Sequence, residues 1–345
     1  MKKRVEAFIE LGLRIQSFLD EFESSNTYSE VMKDKLELAF AKNGWFSEDN
    51  ILKAFNGISH MTQSSKMQKW LASYPIKESI QSGKKIGVIM AGNLPVVGFH
   101  DLLCILCSGH RAMIKMSSDD EVLLPFITDL LIEINPELSG SIEYVDRLEK
   151  YDAVIATGSN NSARYFEYYF KNKPHIIRKN RNSIAVLDGS ETEEELKDLG
   201  KDIFSYYGLG CRNVSKILMP NDFDLDRIFG AIVDFGEVIN NNKYFNNYHY
   251  YKTIYMMKKD DLLENGFLLM KEDDSTYSPV SMLFYQRYQS DDEVLDYLES
   301  EKQNIQCVVS KHQKLSDRVA FGKSQSPELW DYSDGVDTMQ FLLGL

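Results

Sequence analysis

The sequence of 345 residues is poor in cysteine, with four residues at positions 104, 107, 211 and 307. Four cysteines are too few for a disulfide scaffold in a chain of this length, so we expect thiol chemistry and a reducing, cytoplasmic location. No apolar run reaches the roughly 18 residues of a membrane-spanning helix. Glu6, Glu10 and Arg14 interrupt the stretch where a signal peptide would need an unbroken apolar segment. The six histidines form no H-x-x-x-H or Cys-His group, so we predict no metal site.

Basic residues are also in the minority, because 39 lysines and arginines face 52 aspartates and glutamates, giving a formal net charge of -13. Such a charge repels polyanions at long range, so binding to nucleic acid or to an anionic membrane is not expected. One run departs from this balance, since KNKPHIIRKNRN at positions 171–182 has five lysines and arginines and no acid. It is either a solvated basic loop or a substrate phosphate site, for which Arg178, Lys179 and Arg181 are the candidates.

The hydrophobic fraction of 43% and the charged fraction of 26% are typical of a globular protein. Single hydrophobic cores stop growing at roughly 250 to 300 residues, so a chain of this length favours two domains. Apolar residues recur at helical spacing within residues 1–80, for example at Phe8, Leu11, Ile15 and Leu19. This region is therefore predicted to be helical.

From Lys84 onward, short β-branched runs alternate with helical periods. Such alternation predicts a mostly parallel sheet covered by helices on both faces. Helices are predicted at 122–134 and at 196–207. The predicted strands form two series, 86–90, 112–116, 142–145 and 153–156, and then 184–187, 216–219, 253–257, 280–284 and 306–309.

Cys211 is the sharpest single feature of the sequence, because it follows Gly208 and Gly210 at the end of a predicted helix and precedes a predicted strand. Glycines allow backbone and ligand to approach closely. A thiol on a tight polar turn beside Arg212 is more accessible and more easily ionised than one in an apolar run. Taken alone, however, this local sequence favours a structural cysteine over a nucleophile.

Four short motifs occur in a specific order: AGNLP at 91–95, IKMSS at 114–118, ATGS at 156–159 and GLGC at 208–211. In their order and spacing, the region from Lys84 to Leu345 resembles the aldehyde dehydrogenase superfamily. It is most similar to acyl-CoA reductases related to the LuxC component of bacterial fatty acid reductase. The tail, with FGKSQ at 321–325, PELWDY at 327–332 and DGVD at 334–337, also looks like the end of this reductase subfamily.

The resemblance implies an α/β, aldehyde dehydrogenase-like fold of two Rossmann-like three-layer αβα domains with an N-terminal helical segment. Residues 1–183 would then hold the helices and the domain that binds a nicotinamide dinucleotide. Residues 184–325 would form the catalytic domain with Cys211. Residues 326–345 would be a tail that returns to the cofactor domain or to an interface, and a homo-oligomer is compatible with this reading.

The resemblance also implies the chemistry: Cys211 takes the acyl group of an acyl-CoA or acyl-carrier substrate, and a nicotinamide cofactor reduces it to the aldehyde. Asn93 and the backbone N–H of Cys211 would donate hydrogen bonds to the oxyanion, which is compatible with Asn93 being a turn residue before Pro95. Lys115 would contact the adenosine ribose, and a helix start would face the pyrophosphate. The implied cofactor-binding residues are Lys115, Ser117, Ser118, Thr157, Gly158 and Ser159.

The sequence departs from the superfamily pattern at several positions. NAD-preferring members often have a glutamate where this chain has Ser118, and a serine leaves room for a 2'-phosphate, so we expect NADPH, with NAD as the alternative. The glutamate that activates water in hydrolytic members is missing from residues 176–180. Without that base, thiol exchange is favoured over hydrolysis of a thioacyl enzyme. A glutamate that contacts the nicotinamide ribose is likewise missing from residues 275–279.

Three functions remain open at this point: an acyl-CoA reductase, a reductase that acts on an acyl phosphate, and a non-catalytic acyl or nucleotide carrier. Two other features are candidate sites. Cys104 and Cys107 have C-x-x-C spacing, but their apolar neighbours predict a buried helix rather than a redox or zinc site. The stretch NNNKYFNNYHYY at 240–251, which includes His249, either lines a binding site or forms a polar surface or subunit contact.

Overall fold

The computed structural model describes residues 2–25, 30–75 and 83–345. The chain divides into two compact units, the first formed by Met1–Lys179 with Glu328–Leu345 and the second by Asn180–Pro327. These divisions fall near, but not at, the boundaries after residues 183 and 325 that the sequence led us to expect. The second unit is therefore one continuous segment, whereas the first unit is built from both ends of the chain.

Four helices open the first unit: α1 (Lys2–Ser25), α2 (Glu30–Lys42), α3 (Glu48–Met61) and α4 (Ser64–Ala72). The apolar positions that recur along α1 are buried and share one core with Ile51, Phe55 and Ile58 of α3. The predicted N-terminal helical segment is confirmed, while residues 1, 26–29 and 76–80 of that prediction lie outside the described residues. In the described ranges, no helix combines the length and the apolar character needed to cross a membrane.

The first unit continues with a five-stranded sheet. Its elements are β1 (Lys85–Ile89), α5 (Phe99–Cys107), β2 (Arg111–Lys115), α6 (Leu123–Ile134), β3 (Ile142–Tyr144), β4 (Ala153–Thr157), α7 (Asn160–Phe170) and β5 (His175–Arg178). All strand pairs are parallel, in the order β3-β2-β1-β4-β5. The chain moves outward from β1 in one direction and then resumes at β4 on its other side. In open α/β sheets, ligands bind at the carboxyl ends of the strands at such a reversal.

The second unit contains a seven-stranded sheet. Its elements are β6 (Asn182–Val186), α8 (Glu193–Phe204), β7 (Val214–Pro220), α9 (Asp226–Ala231), α10 (Asn242–Lys258), β8 (Leu263–Glu264), β9 (Leu269–Glu272), β10 (Met282–Tyr288), α11 (Asp291–Ser300), β11 (Ile305–Val309) and β12 (Arg318–Val319). The strand order is β12-β11-β6-β7-β10-β9-β8. The β8–β9 pair is antiparallel and the other pairs are parallel. β7 is buried along most of its length, which fits the apolar run Ile217–Met219, and it also buries Lys216.

One predicted strand is wrong, because residues 253–257 form the last turns of α10. Asn241 is the N-cap of this helix, and its side chain accepts hydrogen bonds from the backbone amides of Lys243 and Tyr244. Tyr244 and Tyr248, four residues apart on one helix face, are buried. The asparagine cap and the helical spacing of the buried tyrosines favour a helix more strongly than the β-branched residues at 253–257 favour a strand. The stretch rich in asparagine and tyrosine is therefore the first part of α10.

The C-terminal tail, which ends in α12 (Thr338–Leu343), belongs to the first unit. The Trp70 indole N–H donates to the Tyr332 hydroxyl at 2.7 Å, and the Tyr74 hydroxyl donates to the Asp337 carboxylate at 2.9 Å. Nε2 of His110 lies 2.8 Å from the carbonyl oxygen of Leu342. Each of these polar partners comes from the opposite end of the chain, so the tail motifs serve to anchor the C-terminus to the first unit.

Candidate active site

The carboxyl edge of the first sheet gathers the residues predicted to bind the cofactor or the oxyanion. Asn93 lies on an exposed bend after β1, Lys115 is the last residue of β2, and Thr157 is the last residue of β4. Because the strands are parallel, their carboxyl ends lie along one edge. The structure therefore groups the following predicted residues along that edge: Asn93, Lys115, Ser117, Ser118, Thr157, Gly158 and Ser159.

The bend that carries Asn93 is fixed at both of its ends. A Cβ atom at Gly92 would lie 2.5 Å from Oγ of Ser117, so only glycine allows this close approach. At the other end, Val96 has a φ of 49°, a left-handed conformation that is unusual for a β-branched residue. Its amide donates to Oδ2 of Asp120 at 2.8 Å. These contacts define the backbone path that presents the Asn93 side chain.

The end of β2 and the loop after it hold three of the predicted cofactor-binding residues, Lys115, Ser117 and Ser118. Lys115 is exposed, and its Nζ donates to the carbonyl oxygen of Asp146 at 3.1 Å. Oγ of Ser117 accepts a hydrogen bond from the Asp119 amide at 3.3 Å, which tightens the loop, while Ser118 is exposed. Asp120 ends the loop in a buried position, and this burial raises the pKa of its carboxyl above the ordinary range. The loop thus offers one exposed cation and small hydroxyl side chains to solvent.

The start of α7 provides a site with the properties needed for an anion. Ser159 is the N-cap of this helix, and its hydroxyl oxygen accepts a hydrogen bond from the Ser162 amide at 3.2 Å. The Gly158 amide donates to the carbonyl oxygen of Arg178 at 3.2 Å. A Cβ at Gly158 would lie 2.9 Å from Cε2 of Phe166, so glycine lets the helix start close to the strand end. Amide groups at a helix start favour negative charge, which is consistent with the pyrophosphate contact predicted here.

The candidate phosphate ligands in the basic run at 171–182 have different environments. Arg178 is only 6% exposed, forms a buried ion pair with Asp101 and donates to Oγ1 of Thr338 at 2.8 Å. Burial works against its charge, but Asp101 more than offsets this and raises the pKa of Arg178. Because its guanidinium is enclosed and paired, Arg178 is the least accessible of the three candidate phosphate ligands. A basic run reports charge but not burial, so the sequence alone could not reveal this.

The other two candidates from that run lie near the surface. Lys179 is exposed and pairs with Glu167 at 2.8 Å. Arg181 belongs to the second unit, where its guanidinium donates to the carbonyl oxygen of Ile305 at 3.3 Å. Of the three candidate phosphate ligands, only these two keep a position that a charged ligand can approach.

Cys211 lies in the second unit, exposed at the tip of a tight turn. The backbone N–H of Asn213 donates to the carbonyl oxygen of Gly210 at 3.0 Å, and the backbone N–H of Gly210 donates to Oδ1 of Asn213 at 2.8 Å. Nδ2 of Asn213, which is 2% exposed, donates to the carbonyl oxygens of Asp202 at 3.0 Å and Ser205 at 2.8 Å. One buried amide therefore joins the end of α8 to the turn that presents the thiol.

The backbone just before this turn is strained. Tyr206, Tyr207 and Gly208 have φ values of 53°, 57° and 78°, three consecutive residues in the left-handed region. Non-glycine residues in this region cost about 1–3 kcal/mol each and persist only where surrounding contacts hold them. Such strain often occurs at functional sites, and here it directly precedes the exposed thiol.

The other cysteines have environments that oppose reactivity. Cys104 and Cys107 are fully buried in α5, as predicted, and burial raises the pKa of Cys107 to about 12. Cys307 is half-buried, and burial raises its pKa as well. Its sulfur lies 3.0 Å from the Ser183 hydroxyl, which also donates to the carbonyl oxygen of Cys211 at 3.1 Å. A reagent that needs an exposed thiol is therefore expected to select Cys211.

The motif at 321–325 supports the same turn. The buried carboxylate of Asp202 accepts hydrogen bonds from the amides of Gly322 at 2.7 Å and Ser324 at 2.9 Å. Asp202 also bonds to Asn213 through its carbonyl oxygen. Sequence reasoning missed both residues. An asparagine two residues after Cys211 is typical of a turn, so the sequence could have indicated the supporting role of Asn213. The sequence around Asp202 gives no such indication.

The described residues contain no cluster of three or more His, Cys, Asp or Glu side chains that could hold a metal ion.

Several solved structures have a similar fold. Aldehyde dehydrogenase 21 from Physcomitrella patens, in complex with the reaction product succinate, matches with a TM-score of 0.69 and 11% identity, over 99% of this chain and 83% of its own. Indole-3-acetaldehyde dehydrogenase AldA of P. syringae, in complex with NAD+ and IAA, matches with a TM-score of 0.65 and 12% identity, over 90% of this chain and 72% of its own. PnpE, in complex with nicotinamide adenine dinucleotide, matches with a TM-score of 0.65 and 14% identity, over 90% of this chain and 73% of its own.

These likenesses define the class: the chain has the aldehyde dehydrogenase-like α/β fold, with parallel sheets and an N-terminal helical segment. The chain belongs to the acyl-CoA reductase (LuxC) family, whose model matches residues 2–227, a stretch that includes both Asn93 and Cys211. The family and the fold together make the protein an oxidoreductase of aldehyde chemistry. No curated protein matches the chain.

Proposed function

We propose that this protein reduces a fatty acyl-CoA thioester to the aldehyde with NADPH, through a thioacyl intermediate on Cys211. The observation that carries the proposal is the exposed thiol of Cys211 at the tip of a hydrogen-bonded turn, in a chain of the acyl-CoA reductase family. The remaining cysteines are buried or half-buried. A nucleophile must be accessible, and Cys211 alone among the four meets this condition fully.

The first half-reaction uses side chains of this chain. The Cys211 thiolate attacks the thioester carbonyl carbon, while the Asn93 amide and the backbone N–H of Cys211 donate hydrogen bonds to the developing oxyanion. The oxyanion then collapses and the CoA thiolate leaves with the electron pair of its C–S bond. The product is an acyl group joined to the sulfur of Cys211. Loss of one oxyanion donor is expected to slow this step by about 100-fold or more.

The second half-reaction needs a hydride donor, which a bound nicotinamide dinucleotide supplies. The residues at the carboxyl edge of the first sheet fit such a ligand: Lys115 offers an exposed ammonium and α7 offers its amide end. AldA and PnpE, which share the fold, were solved with this type of cofactor. After reduction, the thiohemiacetal on Cys211 loses the thiolate and releases the aldehyde. Ser118, exposed and small, supports NADPH as the cofactor because it leaves space for a 2'-phosphate.

The stretch that holds the general base in hydrolytic relatives lacks an acidic residue in this chain. This favours exchange of the acyl group with a thiol over its hydrolysis by water. Residues 176–180 contain no acid, and the buried Arg178 in that stretch is already paired with Asp101. Without an activated water the thioacyl enzyme persists until it is reduced. An acyl phosphate is the less favoured substrate, because the enclosure of Arg178 removes one of the cations that would bind a free phosphate.

The test is to mix the protein with acyl-CoAs from acetyl to palmitoyl in the absence of cofactor and to measure the intact mass. We expect an increment equal to the acyl group, located on Cys211 by peptide mapping. Cys211→Ser should show no increment, whereas the matched control Cys307→Ser should behave as the wild type. Addition of NADPH should then remove the increment and yield the aldehyde. An unmodified Cys211 at every chain length would refute the proposal, and labelling by an acyl phosphate alone would replace it with the alternative substrate.

A further inference from the structure

We infer that Asp120 is a positioning residue that holds the bend carrying Asn93 to the loop after β2, which follows Lys115 and carries Ser117 and Ser118. The proposed oxyanion donor and this cofactor-binding segment thus form one rigid piece. The catalytic consequence rests on the proposed function, but the coupling between the two segments does not. Neither the family resemblance nor the sequence motifs assigned a role to Asp120.

The first observation is that one buried carboxylate joins two chain segments. Asp120 is 5% exposed, and its Oδ2 accepts a hydrogen bond from the Val96 amide at 2.8 Å. Its Oδ1 accepts from the amide of Leu123, the first residue of α6, at 3.3 Å. Buried hydrogen bonds to a carboxylate are stronger than those between neutral groups. Asp120 thus fixes the far end of the Asn93 bend from the base of the neighbouring loop.

The second observation concerns the near end of the same bend. Gly92 packs against Ser117 so closely that a Cβ would lie 2.5 Å from Oγ of Ser117 and 2.8 Å from Cβ of Asp119. The Met90 amide donates to the carbonyl oxygen of Lys115 at 3.1 Å, which continues the β1–β2 pairing up to this point. Asn93 therefore lies between two attachments, Gly92 and Val96, that both lead to the loop after β2.

The third observation is the strained backbone at the attachment itself. Val96 has a φ of 49°, which a β-branched residue adopts only where surrounding contacts hold it. The hydrogen bond from its amide to Asp120 is the contact that selects this conformation. When the bond is lost, we expect Val96 to relax toward negative φ. That change would redirect the backbone between Gly92 and Val96 and with it the Asn93 side chain.

The test compares Asp120→Ala with Asp119→Ala. Asp119 is the adjacent, exposed aspartate, so the two variants remove the same charge within the same loop. In Asp120→Ala both acceptor oxygens are removed, so the amides of Val96 and Leu123 both lose their side-chain acceptor. We expect hydrogen–deuterium exchange of the peptide covering residues 92–98 to rise by about tenfold or more in Asp120→Ala and to stay unchanged in Asp119→Ala. Unchanged exchange in Asp120→Ala would overturn the inference, whatever substrate the protein uses.

The functional readout uses two reactions of the same thiol. Acylation of Cys211 by an acyl-CoA develops an oxyanion, whereas alkylation by iodoacetamide does not. We expect Asp120→Ala to slow acylation by about tenfold or more and to leave alkylation unchanged, since only acylation needs the positioned Asn93. An equal loss of both rates would indicate general disturbance and overturn the inference. If the wild type is not acylated by any acyl-CoA, the proposed function fails, and the exchange measurement still decides the positioning claim.

Discussion

Replacing Asn213 by alanine removes the side chain that organises the Cys211 turn. Its side-chain oxygen accepts a hydrogen bond from the backbone N–H of Gly210 at 2.8 Å. Its side-chain nitrogen donates to the carbonyl oxygens of Asp202 at 3.0 Å, Ser205 at 2.8 Å and Ile203 at 3.3 Å. A buried donor left without a partner costs about 1–3 kcal/mol, and the carbonyl groups at the end of α8 add to this. Contributions within one network do not simply add, so we expect a loss of about 3 kcal/mol in the free energy of unfolding.

The assay for this prediction is urea unfolding followed by far-ultraviolet circular dichroism. Tryptophan fluorescence is unsuitable, because Trp45, Trp70 and Trp330 all lie in the first unit whereas Asn213 lies in the second. Asn304→Ala is the matched control, since its Nδ2 makes one exposed hydrogen bond, to Glu301 at 2.8 Å. This control should change stability by less than about 0.5 kcal/mol. If Asn213→Ala unfolds at the same urea concentration as Asn304→Ala, the account of the Cys211 turn given above is wrong.

Three further substitutions test other parts of the structure. Ser118→Glu should shift the ratio of NADPH to NADH affinity by about tenfold or more toward NADH in a titration, because a carboxylate repels a 2'-phosphate and accepts from a ribose 2'-hydroxyl. Asp101→Asn should lower the free energy of unfolding by about 3 kcal/mol, measured by tryptophan fluorescence, because it leaves the buried charge of Arg178 unpaired; an unchanged transition would contradict the ion pair. Burial lowers the pKa of Lys216 to about 8, so below that pH the buried side chain carries a charge that destabilises the folded state. Wild-type stability should therefore rise relative to Lys216→Met as the pH increases from 8 to 10.5, and a constant difference in urea midpoints across that range would refute the assigned burial cost.

Much of the fold was predictable because the buried parallel strands have a distinctive sequence. β1, β2 and β4 are short runs of apolar, partly β-branched residues, and the structure places each within about one residue of the predicted bounds. The motifs that follow these strands lie at their carboxyl ends, so their grouping along one edge follows from parallel pairing. The prediction failed at residues 253–257, where an asparagine cap and buried tyrosines form a helix and β-branched content alone was misleading.

The supporting residues of the site were not predictable, for a physical reason. Asp120 bonds to Val96, and Arg178 pairs with Asp101, so each partner is distant in sequence and becomes a neighbour only in the folded sheet. Composition marks Arg178 as part of an exposed basic run, yet its strand places it in the interior. Burial of an ionised side chain depends on a partner that local sequence does not show.

The division of the chain has a consequence for synthesis on the ribosome. Domains usually fold in the order in which they emerge, with the N-terminal one first. Here the first unit needs Tyr332 and Asp337 for its contacts with Trp70 and Tyr74, and these residues are translated after the whole of Asn180–Pro327. The first unit is thus synthesised first but completed last. Until Tyr332 and Asp337 have been translated, its apolar surface beside Trp70 stays uncovered and is a binding surface for chaperones.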